Sequence, residues 1–464
     1  MRKALLVLAT LVLLVKVPDF IPYYRDYRVF DFATVTRVFD FQPRREAFAG
    51  IGWNGRDDRE ITSGHGIQPL AAPNKSLEGF FAALRRAEMK QEGGVVKIVH
   101  YGDSPTTADL ITSDIRQMLQ AQFGDAGHGY HLIAKPWAWY EHRGINVDAD
   151  GWTVEPANLE EPGDGIYGLG GVSFLGPPGA WARFHLGASA EEQVEVHAWR
   201  RPGGGRLSIY SEGLRLGELD TQAAKTQEAF ATFSLPAGAK KVELRVTSGM
   251  VRLFGVQFGK TQPGVMYSSL GVNGAHIGML STRFREDHWS RILQHVQPDL
   301  VVLNYGTNES TDMEFVDSDY EATLRTAIQR VRKALPQASL LIMSPMDRGQ
   351  REMNGTIGTV PALRKVVAIQ AKVAADTKVA FFNTFQAMGG EGTMGRWYLA
   401  EPRMVGADLI HPMPSGAKLV GGYFYKAVLD GYNKYKLKSL RQQFTPRPAP
   451  GRERGNSVPP VRVQ

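Results

Sequence analysis

The ten residues Val95-Val96-Lys97-Ile98-Val99-His100-Tyr101-Gly102-Asp103-Ser104 constrain this chain more than any other stretch. Val95 to Val99 is a short, β-branched, apolar run, and Gly93-Gly94 breaks the chain just before it, which is the pattern of a buried strand. It ends in Gly-Asp-Ser, a tight-turn composition. Ile111, Ile115, Met118 and Leu119 then recur on one face of a helix. Ser104 therefore falls where a strand stops and the chain turns toward a helix. In open α/β sheets, ligands bind outside the carboxyl ends of the strands. A serine there is exposed, rigidly supported, and near a helix N-terminus whose amides favour developing negative charge. Alone, Gly-Asp-Ser is more often a solvated turn. What decides between the two is whether the rest of the chain supplies a base, a group to orient it, and donors for an oxyanion.

The strand-then-turn pattern returns four times. Val265 to Leu270 leads into Gly271-Val272-Asn273-Gly274, and Leu300 to Leu303 into Tyr305-Gly306-Thr307-Asn308. Leu340 to Met343 ends at Ser344-Pro345, and Val379 to Phe382 is a fifth strand. Helical patterns separate them: Tyr320, Leu324, Ile328 and Val331 share a face, a helix is expected over about 361–374, and a last one over about 415–432. Strands alternating with helices predict a doubly wound parallel sheet of about five strands with both faces covered, flavodoxin-like in class.

From about 146 to 260 the texture changes. Val194, Val196 and Ala198 alternate with Glu195, His197 and Trp199, and Val242, Leu244 and Val246 with Glu243, Arg245 and Thr247. Turns such as Pro202-Gly203-Gly204-Gly205 separate the strands. Many short strands with Gly/Pro turns predict a β-sandwich, jelly-roll-like, inserted into the α/β pattern. Trp152, Tyr167, Trp181, Trp199 and Tyr210 lie in it. Trp181 and Tyr210 read as core. Trp199, out of phase with Val194, Val196 and Ala198, is expected on the surface, where it would stack on a sugar ring.

The α/β fold would gather Ser104, Gly274 and Asn308 at one sheet edge. Asp408 and His411 join them: three residues apart, they can be presented by one loop, with the carboxylate accepting the imidazole proton so that the other ring nitrogen faces the serine. Taken singly, Asn308 also reads as a helix cap and Asp408/His411 as a surface loop.

Gly102-Asp103-Ser104, Gly274, Gly306-Thr307-Asn308 and Asp408-x-x-His411 resemble, in order and spacing, the four sequence blocks of the SGNH (GDSL-type) hydrolases. The resemblance covers about 93–145 and 262–435. The inserted β-domain and the Gly127-His128-Gly129 loop more loosely resemble bacterial peptidoglycan and polysaccharide O-acetylesterases. The resemblance implies that Ser104 is the nucleophile, His411 the general base and then acid, and Asp408 the residue that orients it. It also implies an oxyanion hole of the Ser104 amide, the Gly274 amide and the Asn308 side chain. The leucine that often follows the serine is Pro105 here, and Gly274 is chosen over Gly271 because Asn273-Gly274-Ala275 fits the second block better. The implied activity is a serine esterase removing O-acetyl groups from a cell-envelope or extracellular polysaccharide. An O-acetyltransferase on the same triad and a non-catalytic carbohydrate-binding protein are the alternatives.

The 464 residues contain no cysteine, which excludes disulfides, thiol catalysis and thiolate metal sites. The net charge of +7 suits work near anionic surfaces or polymers, but no nucleic-acid-binding motif accompanies it. His128-x-x-His131 lacks a spaced third ligand, so neither a metal nor a cofactor is expected. Trp137, Trp139, Tyr140 and His142 form either a sugar-stacking loop or a hydrophobic plug. Arg2 and Lys3 ahead of an apolar run to Val15 predict an export signal over 1–16, cleaved or retained as a membrane anchor, so the protein is expected outside the cytoplasm. Residues 17–92 form a lead-in ending in a helix that Ser76 caps, with Leu77, Phe80, Phe81 and Leu84 on its apolar face. The Pro- and Arg-rich tail, 441–464, is expected to be disordered.

Overall fold

The computed structural model describes residues 68–159 and 163–444. The predicted export signal and most of the lead-in lie outside the described residues. No helix among the described residues is long and apolar enough to cross a membrane.

Five parallel strands form the central sheet: β1 (Val95–Gly102), β2 (Gly264–Gly271), β3 (Leu300–Asn304), β4 (Ser339–Met343) and β5 (Ala380–Phe382). Their spatial order is β2-β1-β3-β4-β5, the flavodoxin-like arrangement predicted from the strand–helix alternation. Strand periodicity sorts the side chains onto two faces. Val96, Ile98, Val302, Leu341 and Phe382 point to one side, where α1 (Glu78–Glu88), α2 (Leu110–Phe123) and the final helix pack. Val99, Tyr101, Val301, Leu303 and Ile342 point to the other, against α3 (Glu286–Val296), α4 (Tyr320–Ala334) and α5 (Pro361–Thr377). The final helix, α6, spans Pro414–Phe444, longer than its sequence pattern indicated and running into the stretch expected to be disordered. Residues beyond 444 lie outside the described part. Trp289 on α3 is fully buried and donates its indole N–H to the Tyr101 hydroxyl at 2.9 Å. Truncating such a side chain to alanine costs about 3–5 kcal/mol.

Register sets the functional edge. Gly102 at the end of β1 is opposite both Gly271 of β2 and Asn304 of β3, so three strands finish side by side. The chain leaves β1 for β2 on one flank and later returns to β3 on the other. That reversal opens a crevice at the strand ends.

The insert is two antiparallel sheets packed face to face. Val194, Val196 and Ala198 point inward toward Val242, Leu244 and Val246 of the facing sheet. The short strand Gly129–His131, ahead of the insert in sequence, joins one of these sheets by pairing with part of its interior strand Val251–Gly259.

Three expectations are corrected. Trp199 is 5% exposed, not a surface residue. The outward face of its strand is covered by α3: Trp199 meets His288 edge-on, and Phe230 of the next strand stacks on His295 with ring centroids 3.5 Å apart. His288 Nε2 accepts the Gly168 amide, so its Nδ1–H donates to Glu228 at 2.8 Å, and Arg291 donates to the other Glu228 oxygen at 2.7 Å. Period-2 alternation tells the two faces of a strand apart, but cannot tell water from a neighbouring helix. Ser76 likewise does not cap α1. Leu77 occupies the cap position without a side-chain bond, and the Ser76 hydroxyl is buried without a partner. Trp181 and Tyr210, expected in the core, are half-buried.

Candidate active site

Ser104 opens a single helical turn, Ser104–Thr107, with Pro105 at a position where the missing N–H costs nothing. The turn does not continue into α2, because Asp109 adopts φ +50. The helix-dipole support expected at Ser104 is therefore that of one turn. Asp109 accepts from Thr112 at 2.7 Å, from both Arg116 guanidinium nitrogens at 3.2 and 2.6 Å, and from the Arg143 amide at 3.0 Å. Burial opposes ionisation of Asp109, yet the Arg116 charge outweighs it and holds the carboxyl below its usual range. Both side chains of this pair are out of water, so removing either partner would cost about 3–5 kcal/mol. The pair anchors the turn that carries Ser104.

Asp408 and His411 sit on the loop before α6. Leu409 between them takes φ +61, a conformation that turns the chain back so that Asp408 Oδ1 accepts the Ile410 and His411 amides at 3.0 and 3.1 Å. Asp408 Oδ2 lies 2.6 Å from His411 Nδ1, and His411 Nε2 lies 2.7 Å from Ser104 Oγ. A carboxylate only accepts, so Nδ1 carries the proton and Nε2 presents its lone pair to the serine hydroxyl. Burial alone would raise the Asp408 carboxyl. The His411 hydrogen bond and the two amides prevail and hold it below its usual range. The structure thus joins Ser104, His411 and Asp408 in one line able to move a proton off the serine.

Gly274 and Asn308 follow the ends of β2 and β3. Gly274 has φ +69, and a Cβ there would meet nothing, so the space beside it is open. Gly271 is different: a Cβ would strike the backbone of Thr106 and Thr107, so that glycine serves close packing of the Ser104 turn. Asn308 does not cap a helix with its side chain. Its Nδ2 donates to the Ala275 carbonyl at 2.7 Å, and the second hydrogen of that amide is independent of this bond.

Three charged neighbours were given no role in the sequence reading. Asp103 is 3% exposed, and burial pushes its carboxyl up to about 6 against the pull of Thr307, His411 and Arg348. Arg348 donates to the Thr307 carbonyl at 2.7 Å. Glu309 is 3% exposed, with both carboxylate oxygens on backbone amides, Ile277 at 2.7 Å and Gly306 at 2.9 Å. A carboxylate directly after Asn308 in a turn reads as solvated, and only the packing of three loops buries it.

The aromatic loop divides. Trp139 is 59% exposed and Trp137 half-buried, while Tyr140 and His142 are buried. His128, His131 and His142 form a buried cluster in which His128 Nε2 meets His142 Nδ1 at 3.0 Å. Among the described residues, the donors close enough together to hold a metal ion are instead Glu195, His197 and His295, where the sandwich meets α3. There Glu195 Oε1 lies 2.8 Å from His197 Nε2 and 3.1 Å from His295 Nε2, which satisfies the carboxylate without an ion.

Residues 234–419 match the GDSL-like Lipase/Acylhydrolase family. The matched span includes Gly274, Asn308, Asp408 and His411, whereas Ser104 lies ahead of the insert. Among solved structures, a peptidoglycan O-acetylesterase aligns over 80% of this chain and 100% of its own, with TM-score 0.69 and 21% identity, and so shares the fold. A family two carbohydrate esterase from Clostridium thermocellum, in complex with cellohexaose, aligns over 62% of this chain and 100% of its own at TM-score 0.24 and 13% identity. No curated protein matches the sequence. From β2 to α6 the chain is thus similar to the GDSL-like lipase/acylhydrolases, on a fold it shares with a solved esterase, and the two likenesses together support an enzyme that hydrolyses esters.

Proposed function

We propose that the protein is a serine esterase that removes O-acetyl groups from a cell-envelope or extracellular polysaccharide, peptidoglycan-like in class, through an acetyl-enzyme. The observation that carries the mechanism is the unbroken line Asp408 Oδ2–His411 Nδ1 (2.6 Å) and His411 Nε2–Ser104 Oγ (2.7 Å). His411 takes the serine proton as Oγ bonds to the acetyl carbonyl carbon. The resulting oxyanion is received by the amides of Ser104 and Gly274 and by Asn308 Nδ2. His411 then returns the proton to the departing sugar oxygen. Water, deprotonated by the same nitrogen, releases acetate and restores the serine. Asp408 keeps the imidazole in the required tautomer.

The glycan substrate is supported by the fold shared with a peptidoglycan O-acetylesterase and by the net charge of +7. The half-exposed triad also fits a polymer: the His411 and Asp408 side chains are 41% and 47% exposed, an open site rather than a closed cavity. Export directed by residues 1–16 would bring the enzyme to such a substrate.

The test is acetate release from O-acetylated peptidoglycan and from its de-O-acetylated form, with Ser104→Ala as control. Acetate from the acetylated polymer alone, lost in Ser104→Ala, is the expected result. Hydrolysis of small acetyl esters with no acetate from any acetylated polysaccharide would reject the substrate class. Transfer of acetyl to added saccharide in preference to water would make the enzyme an acyltransferase. Fractionation of the full-length protein tests export, and recovery in the cytoplasm with residues 1–16 intact would reject it.

A further inference from the structure

The two side-loop donors proposed for the oxyanion belong to different strands. Gly274 follows β2 by three residues and Asn308 follows β3 by four, with β1 between the two strands. Strand register places the start of each loop but leaves its far end free. An oxyanion site needs donors held within a few tenths of an ångström of where charge develops, so something must set the spacing between the two loops.

Glu309 spans that gap. Its Oε1 accepts the amide of Ile277, three residues beyond Gly274, and its Oε2 accepts the amide of Gly306, two residues before Asn308. A third bond closes the ring, from Asn308 Nδ2 to the carbonyl of Ala275, the residue after Gly274. Gly306 has φ +124, a conformation open to glycine and closed to most side chains, and in it the amide meets the carboxylate. Charge-assisted bonds to two amides in a buried place are strong, and costly to leave unmade. From this geometry we infer that Glu309 is a positioning residue: it sets the distance between the Gly274 amide and the Asn308 side chain so that both address one oxygen. The inference rests on the proposed roles of Gly274 and Asn308. Glu309 touches no substrate atom and transfers no proton.

The variants that test it are Glu309→Gln, which keeps the shape but sets an NH2 group against one of the two amide donors, and Glu309→Asp, which keeps the charge but is one methylene too short to reach both. With 4-nitrophenyl acetate, Glu309→Gln is expected to lower kcat about 10- to 100-fold with KM within about twofold, because misplacement by a fraction of an ångström acts on the transition state and not on ground-state binding. Glu309→Asp should recover part of the loss. In the double variant with Asn308→Ala, the two losses should combine to well below their product, since Glu309 acts through the donor already removed. Wild-type kcat in a folded Glu309→Gln or Glu309→Asp overturns the inference. Multiplying losses overturn it too, as does failure of both single variants to fold, which would make the bridge a requirement of folding. Ser104→Ala in the same assay separates this outcome from failure of the mechanism itself. Activity retained in Ser104→Ala rejects the triad, whereas activity lost there but kept in Glu309→Gln rejects the positioning role alone.

Discussion

His411 Nε2 and Ser104 Oγ, 307 residues apart in the chain, lie 2.7 Å apart at the edge of the central sheet. Because the two act as a unit, removing either should cost nearly the whole contribution of the line. Ser104→Ala and His411→Ala are expected to lower kcat/KM on a small acetyl ester by on the order of 10⁴- to 10⁶-fold, with Asp408→Asn one to two orders milder. Circular dichroism should show an unchanged fold. Near-wild-type turnover in Ser104→Ala would remove the serine from the mechanism.

Asn308→Ala should reduce kcat by about 100-fold. The bond to the Ala275 carbonyl is lost as well, worth about 1 kcal/mol, so Tm should fall by about 2–4 °C. Turnover held at the wild-type level with the same drop in Tm would leave the side chain with a loop-tethering role only.

The insert reaches the same loop. Asn158 Nδ2 donates to the Asn273 carbonyl at 2.6 Å, next to Gly274, and Tyr167 packs near Phe284. An insert that only bound glycan would leave small-ester hydrolysis untouched. Asn158→Ala is instead expected to lower kcat on 4-nitrophenyl acetate by about 2- to 10-fold, the value of one hydrogen bond expressed in the transition state. Replacing 146–260 by a linker should cost activity on small and polymeric esters alike, because it strips Trp199 and Glu228 from α3. A linker variant with full small-ester activity would reject that coupling.

Stability should depend on pH through the buried histidines. Burial holds His131 down to about 4, and His128 and His142 well below the usual range. In the unfolded chain they take up protons below about 6.5. Between about 6.5 and 4 the unfolded state therefore binds more protons, so the contribution of His131 is complete above about 6.5 and is lost as pH falls through about 4. Asp103, Glu191 and Glu309, raised by burial to about 6, 7 and 7, work in the opposite sense across the same window, so wild-type stability alone is ambiguous. The difference between wild type and His131→Asn isolates the histidine. The stability gap, measured by urea unfolding, should narrow by on the order of 3 kcal/mol from pH 7.5 to pH 4. A gap independent of pH would show that His131 titrates in the fold as it does in the unfolded chain, and that burial does not hold it down.

The parallel sheet was legible in the sequence because its strands are continuous apolar runs, Val95–Val99 and Leu300–Leu303 among them, ended by glycine turns. Burial on both faces demands that pattern and few other structures produce it. The positions of Ser104, Gly274, Asn308, Asp408 and His411 were legible in part for the same reason, since each follows a strand end or occupies a short loop, and the choice of Gly274 over Gly271 came from the family resemblance. Trp199, Glu309 and Asp103 were not. Alternation places Trp199 opposite Val194, Val196 and Ala198 but carries no trace of α3, which covers it from about 90 residues further on. A carboxylate beside a turn asparagine looks like any solvated acid until the amides of Ile277 and Gly306 close on it. Local pattern determines which element forms and which face is apolar, because those depend on backbone geometry within a few residues. Which faces meet, and which charged groups are taken out of water between them, depends on contacts between segments hundreds of residues apart, and only the folded chain decides that.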